Sequence, residues 1–346
     1  MRAPNVLIER LGLIVDWYKG MISDRTGRLA YTYDPERDLA VEDGSPIRDI
    51  ASIWDVELVS GFLDRSDLRD LAQRSLEHYA GYLIARDGAL VLDPLRLREP
   101  SSIAHSAFML LAISDSALAE REAKVVRLAE GILRQQRRDG SYRVYFGGEE
   151  DEGLEFYPGE AMLALMRAHA LVRDARSLTS VERGFAHYRD RFPAEAVDPE
   201  LMVFHANWQS QYGAPLHAAT QSEAIRSAVR DYVFSLHDHV LEARFYEEIE
   251  RHPMRQATVE VASALEGLND AYSIAKRERD ADHLGSYERC IRIALAWLLR
   301  AQRLDHCTVR ERGGFGHSLT QRTQRIDVTG HVASGFIKTA GNDLAG

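Results

Sequence analysis

The chain has 346 residues, of which 45% are hydrophobic and 28% charged, with two cysteines and a formal net charge of −10. This is the composition of a soluble globular protein able to bury a core without disulfides. The acidic balance and the lack of any Lys/Arg block argue against nucleic acid as a partner, and no apolar run approaches the ~18–20 residues needed to cross a bilayer. Cys290 and Cys307 lie in no CxxC and near no His-rich stretch. That pattern points to a reducing compartment, the cytoplasm, and to no structural zinc.

In chain order, residues 5–19 place Val6, Leu7, Leu11, Ile14, Val15 and Tyr18 on one face of an amphipathic helix. Glu9, Arg10 and Asp16 interrupt its apolar character, so it does not read as a signal peptide. Residues 26–34 (TGRLAYTYD) predict a short hairpin or extended arm. Two helix textures then alternate. Segments rich in small and apolar residues, expected to be buried on most sides, fall at 49–62, 101–114, 156–172, 204–219, 257–276 and 327–340. Striped amphipathic helices fall between them, at 66–86 (capped by Ser66), 118–138, 180–191, 222–242 and 283–302. Pro46, Pro100, Pro158 and Pro253 lie near the starts of four small-residue segments, where proline is tolerated. The spacing of roughly 45–55 residues is that of stacked helix pairs. With residues 5–19 as the first outer helix, the pattern predicts one all-α domain over 1–346. Its architecture is an (α/α)6 toroid of six inner and six outer helices with short β-hairpin loops. Two such loops, 135–148 (QQRRDGSYRVYFGG) and 302–318 (QRLDHCTVRERGGFGHS), each follow an outer helix that ends in Gln, and Asp139-Gly140 suggests a β-turn.

In a ring of helix pairs the inner helix starts converge on one mouth, and polar residues there are the candidates for a site. Glu160, after Tyr157-Pro158-Gly159, reads either as a carboxylate favoured by a helix N-terminus or as a general acid or base. Asp327 reads as the N-cap of the last helix. His331, four residues on, shares its face and is a candidate proton carrier. His105 sits in an apolar helix, either as a hydrogen-bonded core residue or as a substrate contact. Glu260 and Glu266 stand on different faces of their helix, so only one of them is expected to face the site, and Glu260 is taken as that one. Trp54 and Trp208 suit a sugar face, with Gln209 and Gln211 as hydrogen-bonding amides, or simply core packing. Arg48 and Arg325 suit a carboxylate, or salt bridges to Glu57 or Asp327. The histidines lack a third metal ligand at suitable spacing, and Gly313-Gly314-Phe315-Gly316 does not open a helix after a strand, so neither a metal nor a dinucleotide cofactor is expected.

Two segments, FYPGEAMLALMRAHAL at 156–171 and RIDVTGHVASGFIKTA at 325–340, together with the loops DGSY and GGFGHS, carry a family resemblance. The chain resembles α/α-toroid proteins, the helical rings of glycan-acting enzymes and of terpenoid cyclases. Within that group it is most similar to the D-glucuronyl C5-epimerase-like proteins. The resemblance implies tyrosines and a glutamate around a uronate, carried over here to Tyr157 and Glu160. The tyrosine it implies near the last helix is missing. The zinc ligands of lanthionine cyclases and protein prenyltransferases, and the DxDD of squalene-type cyclases, have no counterpart here.

These readings predict a sugar-active enzyme, an epimerase, lyase or hydrolase, acting on a uronate-containing or related saccharide without a cofactor. Glu160, Tyr157 and His331 would move protons. Arg48, Trp54, His105, Trp208, Gln211, Glu260, Arg325 and Asp327 would bind substrate. The alternatives are a non-catalytic accessory toroid with a protein partner in a biosynthetic pathway, and a metal-free cyclase.

Overall fold

The computed structural model describes residues 6–42 and 44–344. Asn5, where the first helix was expected to begin, lies outside the described residues. In chain order the elements begin with α1 Val6–Met21, β1 Thr32–Asp34, β2 Leu39–Val41, α2 Pro46–Leu63 and α3 Ser66–Ala80. Next come β3 Leu83–Arg86, β4 Ala89–Leu92, the single-turn α4 Pro94–Leu97, α5 Ile103–Asp115, α6 Arg121–Gln135, α7 Tyr157–Val172 and α8 Ala175–Arg191. The chain continues through α9 Met202–Ala219, α10 Glu223–Glu242, α11 Phe245–Arg251, α12 Thr258–Glu278, α13 Ala281–Ala301, β5 Gln324–Arg325 and α14 Ile326–Gly341. No described helix is long and apolar enough to cross a membrane.

The two textures read from the sequence are both present. Every residue of α5 from Ile103 to Ser114 is buried, and its start is closed by a capping box between Ser102 and His105. In α6 only Val125, Leu128, Ala129, Gly131 and Ile132 are buried, one stripe at helical spacing. The small-residue segments correspond to α2, α5, α7, α9, α12 and α14, and the striped ones to α1, α3, α6, α8, α10 and α13. Proline stands in the first turn of α2 (Pro46) and α7 (Pro158), where its missing N–H costs nothing.

One expectation is corrected. The helix predicted over 66–86 ends at Ala80, and Leu83–Arg86 pairs antiparallel with Ala89–Leu92 as a hairpin. Asp87 and Gly88, both at positive φ, form its turn, and a strand follows because that turn chemistry overrides helical spacing.

The described chain divides into two compact units, unit 1 from Met1–Ser75 and Val240–Gly346, and unit 2 from Leu76–His239. In unit 1, α14 packs against α12, α2 and α1, and α12 also packs on α13. A three-stranded sheet in the order β2-β1-β5 leads straight into α14, with Thr32 opposite Arg325. In unit 2, α7 packs against α5, α8 and α9, and α5 also packs on α6.

Each unit uses the same closure behind a striped helix. In unit 2, Gln136 after α6 donates to the Gly140 and Ser180 carbonyls, and Gly140 lies at φ 93° against the Arg183 carbonyl. In unit 1, Gln302 after α13 donates to the Arg10 and Gly313 carbonyls, and Gly313 lies at φ 94° against the Leu13 carbonyl. Neither glycine has room for a Cβ, and the positive φ disfavours one as well.

Candidate functional site

Unit 1 collects its ionisable side chains where α2, α12 and α14 meet. On α14, Asp327, His331 and Lys338 recur at helical spacing along one face. Glu266 and Asp270 face them from α12, one turn apart. Asp55 comes from α2 and packs so closely on the helix start that a Cβ at Gly330 would overlap its Oδ2. Glycine at 330 is therefore required for this carboxyl to lie beside the residue preceding His331.

Glu266 is only 1% exposed, yet it is ionised. Burial pushes its carboxyl up, but the Lys338 charge, the His331 hydrogen bond and charge and the Ser334 hydroxyl outweigh that and hold it near 2. Its Oε2 lies 2.9 Å from His331 Nδ1, and its Oε1 lies 3.7 Å from Lys338 Nζ. Lys338 Nζ also donates to Asp270 Oδ2 at 2.7 Å. Burial pulls the His331 imidazole down. The Glu266 hydrogen bond and the charges of Glu266, Asp55 and Asp327 more than offset this and raise it to about 9. The ring is thus an imidazolium at neutral pH, with about a fifth of its side chain exposed (22%). Asp55, unlike Glu266, is raised: burial pushes its carboxyl well above the usual range, with His331 the main opposing charge.

A second cluster borders this one at the start of α14. The guanidinium of Arg325 binds Asp327 through both Nε, at 3.0 Å, and Nη2. Tyr31 Oη donates to Asp327 Oδ2 at 3.2 Å and accepts from Arg48 Nη1 at 2.7 Å. Arg48 and Arg325 both lie over the Tyr31 ring, 5.6 and 5.4 Å from its centroid. Arg48 reaches Asp327 only at 3.9 Å, and its side chain is 53% exposed. Burial, then the Asp327 charge, raises the Tyr31 hydroxyl, so it stays protonated as the donor between them.

Asp327 is not the N-cap expected from the sequence. Arg325 occupies that position in extended backbone, and Asp327 stands two residues inside the helix. The β1–β5 pairing at Arg325 keeps the chain extended up to that point, and the helix starts two residues earlier than Asp327 as its N-cap would have it.

Of the predicted site residues, the structure brings Arg48, Arg325, Asp327 and His331 together. Trp54 is buried on α2 of the same unit, and Glu260 is half-buried in the first turn of α12. The carboxylate that meets His331 is Glu266. Unit 2 holds the others. Glu160 is 6% exposed in α7, following Phe156, Tyr157, Pro158 and Gly159. Glu160 donates its N–H to the Phe156 carbonyl and so stands one residue beyond the capping-box position. Trp208 stacks edge-on against Phe108 at 5.8 Å, and a Cβ at Gly159 would lie 3.1 Å from the Trp208 Cβ. Gln211 donates to Asn207 at 3.3 Å, and Gln209 accepts from Tyr212 at 2.6 Å. Both nitrogens of His105 are engaged locally, Nδ1 by Ser102 and Nε2 by Glu99 at 2.9 Å. Among the described residues no group of three or more His, Cys, Asp and Glu side chains is placed to hold a metal ion.

Comparison with solved structures places this arrangement in a known fold. The chain superposes on a sugar epimerase from a ruminal bacterium with a TM-score of 0.67 at 11% identity, covering 97% of this chain and 98% of that one. It matches cellobiose 2-epimerase from Bacillus thermoamylovorans B4167 with a TM-score of 0.66 at 10% identity, over 96% and 99% of the two chains. It matches a D-mannose isomerase with a TM-score of 0.68 at 10% identity, over 98% of each. The fold is an (α/α)6 toroid. No family model matches the chain, and no curated protein matches its sequence.

Sequence reasoning missed Asp55, Asp270, Lys338 and Tyr31 in this toroid. The signal for Lys338 was present, because it continues the Asp327–His331 face by two further turns. Asp55 carried no local signal. It reads as one more polar residue of a mixed helix, and only the packing of α2 on Gly330 gives it a partner.

Proposed function

We propose that this chain is a sugar-active enzyme that moves protons at a saccharide carbon adjacent to a carbonyl or carboxyl group. The observation that carries the proposal is the pairing of a His331 imidazolium, set by Glu266, with Asp55, a carboxyl pushed up by burial. Acid and base are separated in such a site by environments that move two titratable groups in useful directions. Asp55 as carboxylate would take the proton as the C–H bond breaks. His331, held through Nδ1 by Glu266, would give its Nε2 proton to the oxygen on which charge develops. Return of both protons, to the other face or to the neighbouring atom, completes an epimerisation or isomerisation with no net change in redox state.

The fold supports a saccharide substrate, since sugar epimerases and an isomerase are among the proteins it resembles. Arg48 supports the uronate form of the reading. It is half-exposed and held to its own chain by one short contact to Tyr31, so it retains donors for a substrate carboxylate. Arg325 is the weaker candidate for that role because Asp327 already fills its fork. For unit 2 taken by itself, Glu160 and Tyr157 are proposed as the proton-transfer groups.

The test is incubation in D2O with a glucuronate-containing disaccharide, cellobiose and mannose, followed by NMR. Deuterium at the carbon next to the carbonyl or carboxyl, lost in Asp55→Asn and His331→Gln, is the expected result. Glycosidic cleavage without exchange would replace the proposal with a hydrolase. No exchange and no product with any of the sugars would refute it.

A further inference from the structure

Glu266 is shared between two cations. Its Oε2 meets His331 at 2.9 Å, while its Oε1 faces Lys338 at 3.7 Å. Ser334, between these two residues on α14, donates to the same carboxylate. Lys338 is in turn divided between Glu266 and Asp270, with the shorter contact, 2.7 Å, to Asp270. The order Asp270–Lys338–Glu266–His331 alternates in charge from one member to the next. Lys338 stands two turns beyond His331 on α14 and touches the group that sets His331.

We propose that Lys338 sets the acidity of His331 by competing with it for the Glu266 carboxylate, and that Asp270 sets how strongly Lys338 competes. Lys338 is thus a positioning residue. A cation on the far oxygen of Glu266 withdraws part of that carboxylate's hold on the imidazolium, so the proton on His331 leaves more readily. Asp270 draws Lys338 back and moderates the effect. The other charged groups that act on His331 are Asp55 from α2 and Asp327 on its own helix, and Tyr18 from α1 lies beside those two carboxyls. Tyr18 stays protonated, because burial and then the charges of Asp55 and Asp327 raise its hydroxyl. Asp55 also feels the Lys338 charge, whereas Glu266 and Asp270 meet the ammonium directly, at 3.7 and 2.7 Å.

The functional consequence rests on His331 being the proton donor of the proposed reaction; the effect on His331 itself does not. The experiment is an NMR titration of the His331 ring in the full chain. Lys338→Met should raise its midpoint from about 9, by about one unit, because Glu266 is left to His331 alone. Asp270→Asn should lower it by a similar amount, because Lys338 then bears wholly on Glu266. Lys338→Arg should restore the parent value. Shifts of opposite sign distinguish tuning from structural loosening, which would move both variants the same way. Unmoved midpoints, or shifts of one sign, would overturn the proposal. If Lys338→Met unfolds the chain, Asp270→Asn alone decides by the direction of its shift. Opposite shifts with no sugar turned over by the parent chain would uphold the tuning and sink the functional reading. Turnover with unmoved midpoints would do the reverse.

Discussion

Replacement of Glu266 by Gln tests the centre of the site most directly. Glutamine keeps the shape and an oxygen that can accept from His331 Nδ1, but removes the charge that makes the ring an imidazolium. The size of the effect follows from the titration of His331. A rise from the ordinary 6.5 to about 9 represents about 3 kcal/mol at ~1.4 kcal/mol per unit. A group raised on folding contributes stability that is fully present below its unfolded value of 6.5 and is lost as pH climbs through about 9. Glu266 contributes with the opposite sense: its stabilisation is present above 4.5 and fades as pH falls toward about 2. The two values describe one shared interaction, so they are not summed. Glu266→Gln should therefore cost up to about 3 kcal/mol at pH 7, less the share of the rise that Asp55 and Asp327 supply. The parent's decline in stability between pH 6.5 and 9 should flatten in the variant. Urea unfolding of both proteins across pH 5–10, followed by two probes whose transitions coincide, measures this difference. A stability gap that stays constant between pH 6 and pH 10 would refute the argument, because the lost charge would then not be acting through His331.

Other perturbations separate the remaining roles. Gly313→Ala and Gly140→Ala should each cost about 2 kcal/mol or more in urea unfolding, since each adds a Cβ against a carbonyl at a positive φ. Glu160→Gln should abolish turnover while leaving the melting temperature within a few degrees of the parent; loss of folding instead would assign Glu160 to the support of α7. Arg48→Ala should weaken calorimetric binding of a uronate roughly tenfold or more, the equivalent of about 1.4 kcal/mol, and leave binding of the neutral analogue unchanged. Arg325→Ala should instead destabilise the fold, because it strips Asp327 of its fork, by about 1–3 kcal/mol.

The fold was legible because its two kinds of helix bury different fractions of their surface. The unbroken burial of α5 and the single stripe of α6 are written directly in the order of apolar residues. The hairpin after α3 was less so, because helical spacing continued through residues that a two-residue turn had already claimed. In the site, Asp327 and His331 were visible as an i, i+4 pair, but their partners were not. Glu260 and Glu266 are equivalent by sequence, one at a helix start and the other two turns in. Only the packing of α12 on α14 gives Glu266 the imidazole and leaves Glu260 half-buried. Arg325 was foreseen both as a carboxylate receptor and as a partner of Asp327, and the bidentate contact favours the second role.

The recurrence of the Gln–Gly closure shows where this chain is constrained and where it is free. Gln136 and Gln302 each bridge a glycine carbonyl and a carbonyl of another striped helix, α8 or α1, and the residue three further along that helix, Arg183 or Leu13, sets the glycine. Between Gln and Gly the first loop needs three residues and the second needs ten. The longer loop carries its own staple, the fully buried Glu311 held by Arg322 at 3.0 and 2.6 Å. A small-residue helix follows each closure, α7 after Phe156 and α14 after Arg325, and the two starts differ in backbone, with Arg325 extended at ψ 146° and Phe156 at ψ −59°. The chemistry of the two starts differs as well. In α7 a single buried carboxylate, Glu160, stands at the fourth helical position, whereas α14 places Asp327 at the second and His331 at the sixth. The closures therefore fix backbone positions that tolerate no Cβ, and the first two turns of the helices they launch are where the ionisable residues vary. Loss of either closure glycine should disturb the first two turns of its own helix before the rest of its unit, a difference that hydrogen exchange at Glu160 and His331 amides would resolve.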